Sequence, residues 1–578
     1  MNKQTANLLE QHFDTAFAAP DGIAKLRELI LTLAMQGKLV EQDPNDPPAS
    51  ELLKEIEAER KRQIKAGGIK KQKALPTIDQ PDTSYVLPES WTWTRLGTIG
   101  NIFNGNSINV REKETKYAGA NGLPYIATKD VGYGLDALDY KNGIYIPESA
   151  EKFKIAHQGA VLICAEGGSA GKKCGITNMD ICFGNKLFAN ELFGGIPSKF
   201  ILYLYLSPIF RESFNAAMTG IIGGVSIAKF LELPVPLPPL PEQQRIVARV
   251  DQLMSRCDEL ERLRKEREEK RVAVHAAAVR QLLDAPGQSA HKAGGSAWEF
   301  IQHHFGELYA VKENVAELRK AILSLAVMGR LSEQTEKDEP VSALLTNVYA
   351  ERQRLKIRKT TDLINSPKPL GYAIPEQWKW VYLDDVLVLG PINGFSPREV
   401  DYETNIRSLT LSATTSGTFK GEYSKFIDIE ISNDSDLWLC DGDILVQRGN
   451  TIEYVGVPAV YRGNPGVYVY PDLMMKLRVS SHMDTDYVYY AMSSVPAREY
   501  LRAHASGTSG TMPKINQKAL KSLPLPVPPL EEQHRIVVKI KKLMKFCELL
   551  DQQIDAATDK RTELLNALMA NLSKEAAQ

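Results

Sequence analysis

The sequence predicts an α+β protein in which two β-rich blocks are separated by long helices, and in which the whole arrangement occurs twice. The clearest sign of duplication is residues 233–260, LPVPLPPLPEQQRIVARVDQLMSRCDEL, which return at residues 523–550 as LPLPVPPLEEQHRIVVKIKKLMKFCELL. The two segments align without a gap, and about half of their positions are identical. Each is preceded by glycine turns and short apolar runs typical of strands, and each contains apolar residues at helical spacing. A period of about 290 residues indicates domain duplication with pseudo-two-fold symmetry.

The repeat extends over the rest of each unit, and small changes in spacing mark loop insertions. The matched pairs are residues 26–39 with 318–331, 58–60 with 350–352, 88–93 with 375–380, and 104–105 with 393–394. Each unit begins with helices, expected in the first copy at about residues 5–37 and 49–65, with Gly37 and Gly329 as C-caps. Polar connectors follow at residues 70–84 and 359–368, and a Gly/Ala/Ser hinge at residues 284–297 joins the copies.

A proline ladder precedes each long helix (PVPLPP from Pro234 and PLPVPP from Pro524). Proline lacks the N–H and fixes φ, so the ladder cannot be helix or central strand, and we expect an extended course close to polyproline II. Glu242 and Glu532 then open the helices, where acids favour the positive end of the helix dipole. The first helix runs to Leu283 without proline or glycine, a rod of roughly 60 Å at ~1.5 Å per residue.

Apolar residues alternate at steps of four and three along both long helices, an a/d heptad pattern that calls for a partner helix. The first copy breaks this rhythm in the charged run at residues 261–271 and becomes apolar again at residues 272–283. Two copies of one seam in one chain favour mutual pairing, and the alternative is two helices that each belong to a separate core. The predicted seam residues are Ile246, Val250, Leu253, Cys257, Leu260, Ile536, Ile540, Leu543, Cys547 and Leu550.

The β-rich blocks open at a Pro-Glu-x-Trp-x-Trp motif and carry short apolar runs such as residues 159–164 and 443–446. The helical segments of the two copies match closely, but the β-rich blocks match only at their edges and at a few turns. Two domains that share a frame but differ inside are suited to recognise two different halves of one ligand sequence. The alternative is that the surface loops simply diverged after the duplication.

Composition bounds the function classes. The 578 residues suffice for three or four domains, and 43% hydrophobic with 24% charged residues is typical of a globular protein. No stretch approaches the ~20 apolar residues of a membrane span, and the polar N-terminus does not resemble a signal peptide, so we expect a cytoplasmic protein. Six scattered cysteines without a CxxC pair indicate neither a zinc site nor a disulfide frame. A net charge of −1 argues against nonspecific coating of nucleic acid but allows local basic patches.

Several motifs that would carry chemistry are incomplete. GGSAGKK at residues 167–173 is no phosphate loop, because Lys172 is followed by Lys173 rather than Ser or Thr, and Glu166 stands where a glycine is required. The run Asp46-Pro47-Pro48-Ala49 lacks the aromatic residue of an adenine methyltransferase motif. Pro471-Asp472 with Lys476 resembles a nuclease fragment, but the acid of its Asp/Glu-x-Lys part is missing at Met474-Met475-Lys476. We therefore predict no catalytic residues, no cofactor and no metal site, in a binding protein that takes its chemistry from partners.

The signature P-P-L-x-E-Q-x-R-I-V occurs twice, each time before a long helix, at the ends of the segments 233–247 and 523–537. With the openers PESWTWTRLG at 88–97 and PEQWKWVYLD at 375–384, it makes essentially the whole chain resemble the specificity subunit of a type I restriction-modification system. One departure is the helical segment ahead of the first block, which suits the longer members of that family.

The resemblance implies that the two β-rich blocks are target recognition domains, each reading one half of a bipartite, asymmetric site on double-stranded DNA. It implies that the long helices pair as an antiparallel coiled coil, which acts as a spacer. It also implies that the helical regions dock two modification (methyltransferase) subunits, and that this complex recruits restriction-translocation subunits with ATP-dependent endonuclease activity. Two rivals remain open, a coiled-coil scaffold with two protein-binding β domains, and a nuclease or methyltransferase that acts alone.

The expected organisation has five parts. These are an N-terminal helical region (1–83), target recognition domain 1 (84–232), a proline ladder with central helix, hinge and second helical region (233–372), target recognition domain 2 (373–522), and a second ladder with the C-terminal helix (523–578). Polar loops near the openers and glycine-rich turns supply candidate DNA contacts, since Lys and Arg bind phosphates while amides read base edges. The candidates are Asn104, Asn106, Arg111, Lys113, Lys116, Lys129, Lys172, Lys173, Asn393, Arg398, Arg448, Asn450, Thr508 and Lys514.

Overall fold

A computed structural model describes residues 3–78, 85–220, 223–284, 295–358, 366–507 and 512–577. The chain forms two compact units, one of Met1–Glu266 with Ala557–Gln578 and one of Arg267–Ala556. Both are α+β, and each carries a β-rich block. Most of the hinge predicted at 284–297, and parts of the connectors at 70–84 and 359–368, lie outside the described residues. Within the described ranges, no helix combines the length and apolarity needed to cross a bilayer.

The helices of the chain, in order, are α1 (Lys3–Phe17), α2 (Gly22–Met35), α3 (Ala49–Lys65), α4 (Leu96–Ile99), α5 (Val110–Glu112), α6 (Ser198–Leu206), α7 (Pro208–Ala217), α8 (Ile227–Leu231), α9 (Leu240–Asp284), α10 (Gly295–His303), α11 (Phe305–Leu308), α12 (Lys312–Val327), α13 (Val341–Arg354), α14 (Thr485–Ser493), α15 (Val495–Ala503), α16 (Gln517–Lys521) and α17 (Leu530–Ala577). The helix expected over residues 5–37 is thus two helices. The break falls at Pro20, which has no N–H to continue a helix.

The strands of the first unit are β1 (Thr92–Arg95), β2 (Gly100–Asn104), β3 (Leu123–Ile126), β4 (Tyr145–Ile146), β5 (Ile155–Ala156), β6 (Val161–Cys164), β7 (Cys174–Ile176), β8 (Ile181–Phe183), β9 (Leu187–Leu192) and β10 (Pro234–Leu237). Those of the second are β11 (Lys379–Tyr382), β12 (Leu387–Asn393), β13 (Arg407–Leu409), β14 (Ser424–Phe426), β15 (Ile444–Gln447), β16 (Pro458–Val460), β17 (Tyr468–Val469), β18 (Met474–Val479) and β19 (Pro524–Val527).

Each β block contains two sheets. In the first unit their orders are β2-β9-β6-β7 and β4-β3-β8-β5, and in the second they are β12-β18-β15-β16 and β14-β13-β17. Leu162 of β6 faces a core shared with the second sheet, whereas Val161 and Ile163 face the helices. In the second unit Leu445 of β15 likewise faces the core between the two sheets, whereas its neighbour Ile444 faces the helices. A strand buried on both faces needs a continuous apolar run, which explains GAVLIC and DILV.

Each proline ladder is extended, as expected, but it is a paired strand rather than a free polyproline II segment. β10 pairs antiparallel with β1 of the opener, Thr92 opposite Leu237, and β19 pairs with β11 in the same register. Both sheets have two strands. Pairing of this kind tolerates proline because alternate residues retain their N–H groups and the ladder has a free edge.

The two glycines predicted to end the helices do so, each one position beyond the C-cap residue, which is Gln36 in the first unit and Met328 in the second. Gly37 has φ +69 and Gly329 φ +69, in the left-handed region that favours glycine. A Cβ at Gly37 would lie 2.5 Å from Pro88 Cγ, and one at Gly329 would lie 2.4 Å from Pro375 Cγ. Glycine is therefore required by conformation and by the close approach of the opener.

Most predicted seam residues are buried inside their own unit. Ile246, Val250 and Cys257 belong to the core that contains Trp91, and Ile536, Ile540, Cys547 and Leu550 belong to the core that contains Trp378. Leu253 and Leu543 are partly buried against these cores, and Leu260 is 40% exposed. At these positions the apolar residues of the heptad pattern pack into the core of the unit to which they belong. Pairing of α9 with α17 stays a prediction.

The last turns of the long helices complete the helical parts of the units. In the first unit, Leu565 and Leu568 pack on Phe17 of α1. In the second, Ala278 and Val279 are buried in the core, and His275 Nε2 lies 3.0 Å from the Tyr309 hydroxyl. His275 and Leu565 occupy matching positions of the repeat, so the same junction is polar in one unit and apolar in the other.

Candidate nucleic-acid interface

The repeated signature is a structural junction. In the first unit Glu242 accepts hydrogen bonds from Trp91 Nε1 at 2.9 Å and Gln42 Nε2 at 2.5 Å, and burial raises the pKa of this carboxyl. Gln243 Nε2 donates to the Pro238 carbonyl at 2.9 Å, which fixes the ladder to the helix. One residue of the signature therefore ties the long helix to the opener and the helical region, and the next ties it to the ladder.

The second unit repeats this junction atom for atom. Glu532 accepts from Trp378 Nε1 at 2.9 Å and from Gln334 Nε2 at 2.9 Å. Arg535 pairs with Asp338 at 2.5 Å, as Arg245 pairs with Asp46 at 2.7 Å in the first unit. The signature thus positions each β block on its helices, which leaves the loops of the block to face a ligand.

The ends of several strands of the first block converge at one edge. Ala165 N donates to the Lys186 carbonyl and Val225 N to the Ala165 carbonyl, both at 2.9 Å. Asn106 N donates to the Phe183 carbonyl at 2.9 Å, and Gly105 approaches so closely that a Cβ there would lie 2.0 Å from the same oxygen. We call this the loop edge of the first unit, formed by residues 104–108, 127–133, 165–173, 184–186 and the described part of 219–225.

The second block builds its edge with the same backbone hydrogen bonds. Arg448 N donates to the Leu473 carbonyl at 2.8 Å, Ile515 N to the Arg448 carbonyl at 2.9 Å and Phe395 N to the Tyr470 carbonyl at 3.0 Å. Its loop edge comprises residues 393–397, 448–452, 471–473 and the described part of 506–515. Gly394 repeats the close approach of Gly105, with a Cβ 2.0 Å from the Tyr470 carbonyl. The edges therefore share a backbone frame and differ in their side chains.

Predicted contacts of the first block lie on or beside its loop edge, but several are already engaged. Lys154 Nζ donates to the Asn104 carbonyl and Oδ1 at 2.8 and 2.9 Å, and the Asn106 side chain bonds the backbone of residues 152 and 154. Lys173 Nζ donates to the Thr128 carbonyl at 3.2 Å and lies over the Tyr133 ring. Lys172 and Lys129 are exposed.

The segment after the first edge loop carries three further predicted contacts. Lys113 Nζ lies 5.7 Å from the centre of the Tyr125 ring, and Lys116 lies 3.8 Å from Glu112. Arg111 is exposed. The Tyr125 hydroxyl donates to the Asn106 carbonyl at 2.8 Å, and burial raises the pKa of this tyrosine to about 12. This hydrogen bond joins β3 to the loop edge, and Lys113 lies over the same tyrosine ring.

In the second block Asn393 ends β12, and Arg448 donates to the Asp472 carbonyl at 3.2 Å. Asn450 Nδ2 donates to Gln447 Oε1 at 2.6 Å. Arg398 and Lys514 are exposed, the latter in a backbone bridge to Gly449. Thr508 lies outside the described residues. Among the predicted residues that the structure describes, Asn104, Asn106 and Asn450 are engaged in contacts that hold the edge together. Others, such as Lys129, Lys172 and Lys514, are exposed cations that can meet phosphates.

The sequence did not single out Lys154, Lys186 or Asn185, and it pointed to Asp472 only as part of an incomplete nuclease motif. Lys154 anchors Asn104, which lies 50 positions earlier in the chain. Asn185 and Asp472 occupy matching turns before β9 and β18, and both are exposed. A Gly-Asn dipeptide between two apolar runs was the available signal for the first of these turns.

Lys476, considered above as part of a nuclease motif, is a structural residue. Its side chain is 1% exposed, its Nζ donates to the Trp438 carbonyl at 2.7 Å, and it lies 3.6 Å from Asp443. Asp443 also pairs with Arg478 at 2.7 and 3.0 Å. Burial lowers the pKa of Lys476. The lysine is therefore enclosed between the sheets, where no substrate reaches it.

The two blocks are built on one frame and carry unlike loop edges that present cations and amides, the groups that bind phosphates and base edges. Comparison with known proteins agrees. The family model described as the type I restriction modification DNA specificity domain matches residues 88–269 and 375–558. The chain belongs to this family of DNA specificity proteins.

Named relatives extend the similarity to nearly the whole chain. It is 31% identical to the type I restriction enzyme EcoAI specificity subunit of Escherichia coli and 29% identical to the EcoEI subunit, each over 95% of this chain and 93% of the relative. Among solved structures, it is similar to the HsdS subunit from Thermoanaerobacter tengcongensis, with 17% identity, TM-score 0.40, and coverage of 84% of this chain and 97% of that one. A chain from a structure on assembly of a type I R-M system gives 18% identity, TM-score 0.46, and coverage of 85% and 99%.

Proposed function

We propose that this protein reads a bipartite, asymmetric DNA site, with residues 84–232 reading one half and residues 373–522 the other. The observation that carries the proposal is the repetition of one backbone edge with different side chains. Because the two edges share one backbone structure, we expect both blocks to dock on the duplex in the same way. Because their side chains differ, we expect them to recognise different base sequences. Readers in successive major grooves on one face of B-DNA lie ~34 Å apart.

Exposed cations on each edge supply phosphate contacts, which fix register but carry no sequence information. In the first unit Lys172 serves this role together with Lys186, whose Nζ also lies 3.7 Å from a Glu166 carboxylate oxygen. In the second unit Lys514 serves it on the loop edge, and Arg398 serves it directly beside the edge. Because the net charge is −1, this local positive charge, rather than a basic excess of the whole chain, would attract DNA.

The remaining parts of the proposal concern assembly. The long helices set the distance between half-sites, and the helical regions dock two modification subunits that carry the methyltransferase. Restriction-translocation subunits, with ATP-dependent endonuclease activity, join through that complex. This chain itself catalyses nothing and acts in the cytoplasm, where the chromosome of a prokaryotic host lies. The names of the relatives, all specificity subunits of type I enzymes, support this assignment.

Methylome sequencing of the host, with and without the gene for this chain, tests the function. We expect one two-part motif, with a fixed spacer, to lose methylation when the gene is deleted and to regain it on complementation. An unchanged methylome in a host whose modification subunit is expressed contradicts the proposal. A purified complex with modification subunits that binds the motif no better than a scrambled duplex would favour a scaffold instead.

A further inference from the structure

The turns at residues 184–186 and 471–473 place one exposed side chain at the same corner of each loop edge. Asn185 stands in the first turn and Asp472 in the second. Gly184 N donates to the Ile126 carbonyl at 2.9 Å, and Leu187 N donates to the Gly184 carbonyl at 3.1 Å. In the second unit Met474 N donates to the Pro471 carbonyl at 2.9 Å. Each turn leads directly into a central strand, β9 or β18, so the corner is held by the rigid part of its block.

The Asn185 side chain does not contribute hydrogen bonds that stabilise the described part of the block. Neighbouring Asn104 and Asn106 spend their side-chain oxygens on residue 154, whereas Asn185 makes no side-chain hydrogen bond within the described part of the unit. It lines an open groove of about 690 Å³ together with Asn104, Glu166 and Thr219. An exposed, uncommitted amide on a rigid corner can meet the edge of a base without first breaking a protein contact.

Asp472 keeps one oxygen available at the matching corner. Its Oδ1 accepts a hydrogen bond from the Ser396 hydroxyl at 2.5 Å, which orients the carboxylate. The other oxygen, Oδ2, has no hydrogen-bond partner among the residues described in this unit. The carboxylate therefore has both a fixed direction and an unused acceptor.

The two corners differ in the chemistry that distinguishes bases. An asparagine amide donates and accepts, which matches N7 and N6 of adenine in the major groove, whereas a carboxylate only accepts, which matches the N4 amino group of cytosine. Cations stand beside both corners, Lys186 next to Asn185, and Arg448 with its guanidinium 3.2 Å from the Asp472 carbonyl. A base-reading group flanked by phosphate-binding groups is the arrangement that direct readout needs.

We propose that Asn185 and Asp472 are base-reading residues, one for each half of the target, with an adenine the preferred partner of Asn185 and a cytosine that of Asp472. This inference rests on the proposed function and assigns specificity within it. An exchange between asparagine and aspartate at either corner should therefore change the preferred base at one position of one half-site.

The test uses the full chain with its modification subunits and a library of duplexes randomised in both half-sites. For N185D we expect the preference at one position of the first half-site to change by about 5- to 150-fold, with the second half-site unchanged. For D472N we expect a change of the same size at one position of the second half-site, with the first half-site unchanged. The matched control is N178D, which makes the same chemical change at an exposed asparagine in the turn at the other end of β8, and it should select the wild-type sequence.

The possible results distinguish the base-reading role of Asn185 and Asp472 from recognition of a two-part DNA site by the whole protein. If the wild-type complex selects no two-part sequence, the function itself is refuted. If it does, and N185D and D472N retain every wild-type base preference, the corner assignment alone is overturned. Uniformly weaker binding to all sequences would also overturn it, because that is the behaviour of a phosphate contact.

Discussion

The buried charge network of the second block offers a sharp test of how that block is held together. Asp443 is 0% exposed and faces Lys476 and Arg478. In the first block the matching positions are Ala160 and Ala189, both buried, so the shared frame does not require these charges. Removing the carboxylate with D443A leaves the ammonium of Lys476 buried without a counter-charge. Breaking a buried pair in this way costs about 3–5 kcal/mol.

Hydrogen–deuterium exchange on the full chain is the suitable assay, because it reports the second block separately. We expect the amides of β15 and β18 to exchange at least about 100-fold faster in D443A, since ~1.4 kcal/mol corresponds to a factor of ten. The double variant D443A/K476A removes the buried ammonium together with the carboxylate and leaves only Arg478, whose side chain is 36% exposed. It should therefore lose less stability than D443A alone. D441A is the control, because this exposed carboxylate, 3.5 Å from Arg462, should contribute within ~0.5 kcal/mol. A double variant as unstable as the sum of the two single variants would show that Asp443 and Lys476 do not stabilise each other.

Three further changes test other parts of the structure. W91F removes the donor to buried Glu242 and should destabilise the first unit by about 1–3 kcal/mol, measured by exchange at β1 and β10. Burial lowers the pKa of His275, so the folded state binds fewer protons than the unfolded state, and stability should fall as pH drops below ~6.5. H275L with Y309F, which copies the apolar junction of the first unit, should remove that pH dependence in denaturant titrations. K172Q should weaken DNA binding equally for all sequences and reduce the salt slope by about 1, with unchanged base preference.

Local patterns in the sequence were sufficient for the framework of the fold. The duplication, the long helices, the helix-ending glycines Gly37 and Gly329 and the apolar strands of the β blocks all follow from spacing and residue type. These features depend on residues close together in the chain, where propensity and periodicity act directly. The confirmed family follows from the same motifs, because P-P-L-x-E-Q-x-R-I-V encodes a junction of fixed geometry.

Features that depend on distant residues were not accessible from sequence. The proline ladder became a strand because β1, about 140 positions earlier in the chain, supplies a partner. Asn104 and Asn106 looked available for DNA, but Lys154 uses one side chain and the backbone near it uses the other. The apolar stripes of the long helices face the cores of their own units over much of their length, which periodicity alone does not distinguish from a coiled-coil seam.

We propose that each β block reads its half-site independently of the other. The direct measurement is the methylome of a host that carries a chimaera in which residues 374–522 are replaced by the corresponding block of the EcoAI specificity subunit. We predict that one half of the methylated motif changes, while the other half, read by residues 84–232, stays as in the wild type. A motif altered in both halves, from a chimaera that still supports methylation, would contradict the claim.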